Sequence, residues 1–212
     1  MTENITVYTQ NSIRITDGER VIYVDPFHMN EAPHDADLIL ITHDHYDHFS
    51  PDDIAKVAGE NTTLAVPEKM EKKAREAAGA VKQTVTVTPG GSFSIEGVEL
   101  ETVPAYNILK PFHPKGAGWV GYIITADGSR IYVAGDTDAT KEAKEVKCDV
   151  AIVPVGGTYT MDVKKAAELV NAIRPSVAIP VHYGSIVGSP EDGEAFARLV
   201  NEPVSVECRI TF

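Results

Sequence analysis

Four potential metal ligands stand within six positions of this chain, directly after a short apolar run. The run Leu38–Ile41 has the length and composition of a buried strand. Ser50 before Pro51 indicates the start of a helix, because serine can cap the first turn and proline is preset for it. The segment is therefore predicted to lie in the loop between a buried strand and a helix. The four ligands are His43, His45, Asp47 and His48.

This segment has the donor types of a transition-metal site. Three of the chain's seven histidines fall in it, and neutral imidazoles with a carboxylate suit zinc and its neighbours. Alternate side chains of an extended segment point the same way, so His43, His45 and Asp47 are predicted to share one side. His48 would then turn toward a second metal. The alternative is a polar loop whose histidines cap the following helix or lie at the surface, and the clustering of ligand types favours the metal.

A later strand end adds a carboxylate. Asp136 follows the apolar run Ile131–Val133, and the two oxygens of a carboxylate can lie between two cations. We predict this bridging role for Asp136. The alternative is a cap for a helix that begins near Ala139, and Asp138 or Thr137 fits that role better.

His182 comes directly after a further apolar strand, Val177–Val181. Sites assemble preferentially in loops at strand ends. We predict that His182 is a ligand of the metal held by Asp47 and His48. The alternative is a core histidine whose ring nitrogens are satisfied by the backbone.

Short strands and helices alternate along all 212 residues without a Gly/Ser linker. The composition, 43% apolar and 24% charged, is typical of a globular protein. We therefore predict an α/β fold in one domain over residues 1–212, as a sandwich of two sheets covered by helices. The predicted strands are 5–8, 12–16, 21–25, 37–42, 63–66, 83–88, 92–95, 98–103, 119–126, 130–134, 150–155, 177–180 and 205–211, and the predicted helices begin at 51 and cover 68–78, 141–145, 161–173 and 191–200.

Together these segments resemble the metallo-β-lactamase-fold hydrolases, in the branch of metal-dependent hydrolases and ascorbate-phosphate lactonase-like proteins. The resemblance covers nearly the whole chain and implies a four-layer αβ/βα sandwich. The motifs that carry it are Val24–Phe27, Ile41–Ser50, Gly135–Thr137, Val153–Met161 and Ile179–Gly184.

The resemblance also implies a ligand set for two metals. Asp136 would lie between the two ions. Asp25 matches a position that steadies the ligand loop without touching metal. The first metal would bind His43, His45 and a further histidine, and the second would bind Asp47, His48 and His182.

That further histidine is missing from its usual place after a Pro-Ala pair. Here Pro104-Ala105 is followed by Tyr106 and Asn107, and asparagine is a poor zinc ligand. His113, in the long connection 104–118, could supply the missing imidazole. Its alternatives are a substrate contact, or a surface position that leaves the first metal weakly held.

Six side chains on segments that should converge on the metals are candidate substrate contacts. Two of them, Lys110 and Lys115, could bind a phosphate or carboxylate and would favour an anionic metabolite. The alternative for either lysine is an ordinary solvated position. The six are Tyr106, Asn107, Lys110, Lys115, Tyr159 and Tyr183.

The predicted activity is hydrolysis with two divalent ions, zinc first and manganese or iron as alternatives. A metal-bound hydroxide would attack a lactone, ester or phosphoester of a small metabolite, and Asp47 and Asp136 are the carboxylates of this predicted catalytic centre. One alternative is a nucleic-acid phosphodiesterase, which a net charge of −12 disfavours. The other is a metal-binding or sensor domain without catalysis.

The remaining sequence features concern location and partners. Cys148 and Cys208 form no CxxC pair, so neither a disulfide framework nor a zinc ribbon is indicated. No export signal is visible and no apolar run approaches the ~20 residues of a membrane span. We predict a cytoplasmic protein with a small-molecule substrate and no membrane contact. The sequence is also compatible with a homo-oligomer.

Overall fold

Thirteen strands form two sheets in the computed structural model, which describes residues 1–212. The first sheet has six strands in chain order. Its first three strands are antiparallel and the remaining pairs are parallel. The strands are β1 (Ile5–Val7), β2 (Ile13–Asp17), β3 (Arg20–Val24), β4 (Ala36–Leu40), β5 (Ala58–Pro67) and β6 (Gln83–Val87).

The second sheet has seven strands and repeats this layout, with an antiparallel half and a parallel half. Asp127 and Gly128 join β9 to β10 with φ angles of 46° and 73°, the conformation of the predicted tight hairpin. The strands run in reverse chain order across the sheet. They are β7 (Ser92–Ile95), β8 (Val98–Pro104), β9 (Val120–Ala126), β10 (Ser129–Val133), β11 (Val150–Pro154), β12 (Val177–Val181) and β13 (Ser205–Val206).

Five short α-helices accompany the sheets. Ser50 caps the first of them by accepting a hydrogen bond from the Asp53 backbone N–H, as the Ser-Pro pair predicts. The longest has 11 residues, and none combines the length and apolar character needed to cross a membrane. The helices are α1 (Pro51–Val57), α2 (Glu71–Ala74), α3 (Lys141–Lys144), α4 (Val163–Ile173) and α5 (Asp192–Ala197).

Alternation along β3 and β4 divides the interior into two apolar clusters. Leu38 and Leu40 point into a cluster of 42 buried residues that joins both sheets. Ile39 lies in a second cluster of 14 residues, which packs the other face of the first sheet against α1. Because side chains alternate across a strand, one sheet can contact a sheet on one face and helices on the other. The predicted αβ/βα sandwich is confirmed.

Several predicted elements are shorter than expected, among them the helix predicted for 191–200, which covers Asp192–Ala197. The segment 68–78 is not one helix: α2 is a single turn flanked by 3₁₀ turns at Glu68–Met70 and Arg75–Ala77. The strand predicted for 205–211 ends at Val206, which pairs with Ala178 of β12. The next ladder position on β12 would need a donor from Pro180, and proline has no N–H.

The two sheets meet at the end of β4. The backbone N–H of Val120 donates to the Thr42 carbonyl over 3.1 Å. The hydroxyl of Tyr122, on β9, donates to the Ile41 carbonyl over 2.8 Å. These two hydrogen bonds fix the histidine loop of the first sheet against the second sheet.

Candidate metal centre

The histidine segment turns as soon as it leaves β4. The backbone N–H groups of His48 and Phe49 both donate to the His45 carbonyl, over 3.0 and 2.8 Å. The predicted extended alternation is therefore wrong for Asp47. Its side chain lies with His48 rather than with His43, because the turn reverses the direction in which it points.

A first group of four ligands gathers at this loop. All four ligand atoms lie within 4.8 Å of one another. His43 Nε2 is 3.1 Å from His45 Nδ1, and His113 Nε2 is 3.1 Å from Asp136 Oδ2. The group consists of His43, His45, His113 and Asp136.

A second group of three ligands lies beside the first and consists of Asp47, His48 and His182. Asp47 Oδ2 is 3.3 Å from His182 Nε2 and 3.6 Å from His48 Nε2. The other oxygen of Asp136, Oδ1, approaches the same two imidazoles at 3.4 and 3.3 Å. Asp136 thus offers one oxygen to each group, the position expected of a bridging carboxylate.

The ligand atoms fit a metal better than they fit one another. Four of them are buried and have no partner in hydrogen-bonding geometry, although neighbouring ligand atoms lie 3.1 to 3.4 Å away. Buried polar atoms are normally satisfied, so convergent unpartnered ones indicate a site for an ion. The four are His48 Nε2, His113 Nε2, Asp136 Oδ1 and His182 Nε2.

Asp25 orients this centre from behind. Its Oδ1 accepts from the Thr42 backbone N–H over 2.8 Å, and its Oδ2 accepts from the Thr42 hydroxyl over 2.6 Å. The same Oδ2 lies 2.7 Å from His48 Nδ1. A proton on Nδ1 leaves Nε2 with a free lone pair that faces the ligand group. The predicted steadying role of Asp25 therefore has a direct geometric basis.

Asn11 is a contributor that the sequence did not reveal. Its Nδ2 donates to Asp25 Oδ2 over 2.7 Å, and the residue is buried. It lies between β1 and β2 with no ligand type beside it, so no local pattern marks it. Only the folded chain places it behind the centre.

Asn107 contacts the histidine that is predicted to replace the missing ligand. Its Oδ1 is 3.1 Å from His113 Nδ1, and its Nδ2 donates to the Tyr159 carbonyl over 3.0 Å. Its backbone N–H also donates to the His113 carbonyl over 2.7 Å. The connection therefore folds back on itself and directs His113 Nε2 toward Asp136. The side chain of Asn107 is thus used by contacts with His113 and Tyr159, and its predicted contact with substrate stays a prediction.

Trp119, the single tryptophan, forms one wall of the first group. Its ring centroid lies 5.1 Å from that of His43, 5.0 Å from that of His45 and 5.5 Å from that of His113. Any change in these imidazoles will alter the environment of the indole. The chain therefore contains a fluorescent reporter of its own candidate centre.

Burial and neighbouring charges shift the pKa values of the groups in this centre in different directions. Burial, followed by the nearby His48 charge, holds the pKa of His43 well below its usual range. Burial and His113 likewise lower the pKa of His45. Both imidazoles are consequently neutral and able to donate a lone pair at neutral pH.

The carboxylates stay ionised despite their burial. Burial alone would raise the pKa of Asp136, but the charges of His182 and His48 hold it well below its usual range. Burial would also raise the pKa of Asp47, but the nearby imidazoles of His182 and His48 lower it. Burial would lower the pKa of His48, but the charges of Asp136 and Asp25 raise it well above its usual range.

The two predicted anion-binding lysines are already paired. Lys110 Nζ lies 2.9 Å from Asp138 and also donates to the Thr160 carbonyl. Lys115 Nζ lies 2.7 Å from Glu142. Because each cation has a carboxylate partner, binding a phosphate or carboxylate of a substrate would require that partner to be exchanged. The role of both lysines as substrate contacts stays a prediction.

Two neighbouring assignments change with them. The Tyr106 hydroxyl donates to Glu142 over 2.8 Å, so it belongs to the same surface network. Asp138 does not cap a helix: it accepts from the Ile108 backbone N–H, and Thr140 caps α3. Because α3 begins after Thr140, the carboxylate of Asp138 is not used as its cap. It instead accepts hydrogen bonds from Ile108 and Lys110 of the connection 104–118.

The last two candidate contacts differ. Tyr183 is buried and its ring packs 5.6 Å from that of Phe212, while its hydroxyl lies close to Gly193 of α5. It follows His182 directly, but its side chain packs among these residues and the structure does not bring it to the ligand groups. Tyr159 is partly exposed and its ring meets Phe112 edge-on, with centroids 4.7 Å apart. It remains beside the mouth of the centre.

The backbone of the candidate ligand His182 is left-handed. Its φ is +58°, a conformation that is uncommon for non-glycine residues. Gly156, at the end of the neighbouring β11, allows this arrangement. A Cβ atom on Gly156 would lie 2.2 Å from the His182 carbonyl oxygen and 2.7 Å from the Val187 side chain.

Comparison with known proteins agrees with this geometry. A profile of the beta-lactamase superfamily domain matches residues 4–182. A UPF0173 metal-dependent hydrolase of Thermus thermophilus is 30% identical over 203 residues, which cover 91% of this chain and 88% of that one. One from Aeropyrum pernix is 34% identical over 224 residues, with 93% and 89% covered. A crystal structure assigned as a metal-dependent hydrolase, from Parabacteroides distasonis, superposes with a TM-score of 0.81 at 32% identity over 98% of this chain and 93% of that one.

The chain therefore belongs to the beta-lactamase superfamily and, within it, to the UPF0173 metal-dependent hydrolases. The fold and the family that the motifs predicted are confirmed. The class of activity that this family carries is metal-dependent hydrolysis.

Proposed function

We propose that this protein binds two divalent ions, zinc in the first instance, and hydrolyses a lactone, ester or phosphoester of a small metabolite. One observation supports this most strongly. Five imidazoles and two carboxylates form two adjacent ligand groups, and Asp136 directs one oxygen to each. Manganese and iron are the alternatives, because imidazole and carboxylate ligands suit all three metals.

Two metals would supply an activated water and a polarised substrate oxygen when bound, since metal coordination lowers the pKa of water to ~7. The chain's own residues prepare this chemistry. Asp136 and Asp47 remain ionised and offset the charge of the cations. Asp25 fixes the ring of His48, and Asn107 fixes the ring of His113. Preorganised ligands of this kind need little rearrangement on binding.

We further propose that the protein acts in the cytoplasm. Its two cysteines are both free thiols, and burial followed by the Asp149 charge raises the pKa of Cys148 to about 12. A thiol of that pKa is a poor nucleophile and reacts slowly with oxidants. Neither cysteine lies in the ligand groups, so the proposed chemistry depends on metal and not on thiol.

The test combines metal content with turnover. Purified protein loaded with zinc, manganese or iron is assayed by mass spectrometry for metal and against a panel of lactones, esters, phosphoesters and an oligonucleotide. We expect about two metals per chain and turnover of at least one of the first three classes. His45→Ala and Asp136→Ala should lose metal and turnover together, whereas His34→Asn, outside both ligand groups, should retain both.

Three results would contradict the proposal. Turnover confined to the oligonucleotide would assign a nucleic-acid phosphodiesterase. Two bound metals without any turnover, together with tight binding of a protein partner, would assign a sensor domain. Turnover that survives Asp136→Ala would place the chemistry elsewhere in the chain.

A further inference from the structure

Large apolar side chains collect at the mouth of the candidate metal centre. The chain exposes nine such side chains, and five of them stand beside ligands or beside residues that hold ligands. Exposed apolar patches of this kind mark ligand grooves or interfaces in proteins. We call these five the apolar rim. They are Tyr46, Ile108, Leu109, Phe112 and Tyr159.

Contacts tie the apolar rim to the ligands. Tyr46 stands between His45 and Asp47 in the chain, and Phe112 directly precedes His113. Phe112 meets Tyr159 edge-on at 4.7 Å, and the Tyr159 carbonyl accepts from the asparagine that orients His113. The apolar rim therefore adjoins the candidate ligands along the chain and through the contacts of Phe112 and Tyr159.

Leu109 is the most exposed member, with 94% of its surface accessible to solvent. It lies in the segment 108–112, and the residues on either side of that segment, Asn107 and His113, are joined by a backbone hydrogen bond. A leucine so exposed contributes nothing to the core. Its position at the tip of a loop anchored beside the centre suits contact with a ligand.

The cations beside the ligand segments already have partners within the fold. The segments that carry or hold ligands contain only two lysines and no arginine, and those two are paired with Asp138 and Glu142. Two further lysines, Lys69 and Lys73, donate to the backbone carbonyls of Gly116 and Asp44. A carboxylate or phosphate distant from the scissile bond would have to compete for cations that are already engaged and would face a desolvation cost on the apolar rim. The segments are 41–50, 104–118, 134–140, 155–161 and 182–190.

We infer that the substrate is a neutral ester or lactone whose alkyl or aryl group lies on the apolar rim, rather than an anionic metabolite. This inference rests on the proposed function. In the reaction, the water oxygen bonds to the acyl carbon, and the bond from that carbon to the alcohol oxygen breaks. One water proton passes to the alcohol, and the new carboxylic acid releases the other to solvent.

Binding tests this inference separately from turnover. Hydroxamates chelate metal, and the fluorescence of Trp119 reports their binding to the metal-loaded protein. Hexanohydroxamate should bind at least tenfold more tightly than acetohydroxamate, because each buried methylene adds up to roughly a fourfold gain in affinity. The monohydroxamate of adipic acid has the same six-carbon chain but ends in a carboxylate, and it should bind at least tenfold more weakly than hexanohydroxamate. Equal or tighter binding of the adipate compound would overturn the inference.

Variants locate the effect on the apolar rim. Leu109→Asp should lower the affinity for hexanohydroxamate at least fivefold, with metal content and acetohydroxamate affinity unchanged. The control is Leu199→Asp, an exposed leucine after α5, which should leave all three quantities unchanged. An unchanged hexanohydroxamate affinity in Leu109→Asp would overturn the inference.

The same samples distinguish the remaining outcomes. Turnover of 4-nitrophenyl hexanoate should exceed that of mono-4-nitrophenyl adipate. If no ester, lactone or phosphoester is turned over but Leu109→Asp still weakens the binding of hexanohydroxamate, the proposed function fails. The apolar rim would in that case still be a binding site for an apolar group. Light scattering should show an oligomeric state that Leu109→Asp does not change. A dimer that dissociates in Leu109→Asp would assign the apolar rim to a second copy of the chain and overturn the inference.

Discussion

His48 and Asp25 meet through a 2.7 Å contact between Nδ1 and Oδ2, and both side chains are completely buried. The contact holds the ring so that Nε2 faces Asp47 and Asp136. A histidine ligand oriented by a carboxylate in this way binds metal more tightly than a free imidazole. Asp25 therefore influences the centre through His48, without belonging to either of the two ligand groups.

Removing the charge of Asp25 should weaken metal binding. We expect Asp25→Asn to lower the affinity for one of the two metals by about 10- to 100-fold, because the amide can present N–H toward His48 Nδ1. Asparagine tolerates the φ of +44° at this position. Competition with a chromophoric chelator measures the affinity. Asp35→Asn, which removes a carboxylate held by Arg14 and Tyr23 outside the centre, is the control, and an equal loss there would refute the prediction.

His113 determines how many metals remain bound. We expect His113→Ala to retain one metal fewer than the wild type after dialysis and to change the emission of Trp119, which packs against its ring. Asn107→Ala should lower the affinity of this metal about tenfold and preserve the stoichiometry at saturating metal, since it removes the side-chain contacts to His113 and Tyr159 but no candidate ligand. Lys115→Ala, on the same loop and outside both ligand groups, should match the wild type. Two tightly held metals in His113→Ala would show that its imidazole is not a ligand.

Gly156 gives a steric test of the position of His182. The Cβ atom of Gly156→Ala would lie 2.2 Å from the His182 carbonyl oxygen, so the strand end must move. We expect a loss of ~2 kcal/mol in the free energy of unfolding, with weaker binding of one metal. Gly79→Ala, whose Cβ would meet no atom within 4 Å, should change neither quantity. Urea unfolding of the metal-free protein separates the loss of stability from the loss of metal.

Asp53 should make the stability of the fold depend on pH. It accepts hydrogen bonds from the backbone N–H groups of His28 and Met29 and from Lys56. Burial raises the pKa of Asp53, but Lys56, Ser50 and these backbone donors more than offset it and lower the pKa. Because the pKa of Asp53 is lower in the folded state, its ionised carboxylate adds to the free energy of unfolding above the ordinary carboxyl pKa, near 4. That addition is lost as the pH falls through the folded-state pKa.

The measurement compares Asp53→Asn with the wild type in chelator. At pH 7 we expect the variant to be less stable to urea by ~2 kcal/mol, and the difference should shrink steadily below pH 4. The neighbouring Asp52→Asn, which lies in the exposed part of the first helical turn, should show little difference at any pH. A difference for Asp53→Asn that stays constant down to pH 2 would show that its charge is not responsible.

The sequence predicted the parts of the centre that follow directly from strand ends. His43, Asp136 and His182 each come after an apolar run, and the sheets carry those runs to a common edge. Apolar runs and their ends are local properties of the chain, so they can be read without the fold. The same reasoning predicted the sandwich, because strands and helices alternate along its whole length.

The parts that the sequence could not predict depend on contacts between distant residues. The pairing of Lys110 with Asp138 joins positions 28 residues apart, and Asn107 reaches Tyr159 across 52 residues. Nothing in the local pattern of Asn11 indicates that it supports Asp25. The direction of the Tyr183 side chain could not be read from the sequence for a related reason, since the neighbour of a candidate ligand can point either toward the ligand groups or toward the core.

Each ligand group combines side chains from both sheets. His43 and His45 follow β4 of the first sheet, whereas Asp136 and His182 follow β10 and β12 of the second. A metal in either group would thus cross-link the two sheets, by joining residues that are many tens of positions apart in the chain. Filling the centre should slow hydrogen exchange of backbone amides at these strand ends, where opening would require the metal to leave first. Resistance to proteolysis should rise with metal for the same reason, even for a variant that no longer turns over substrate.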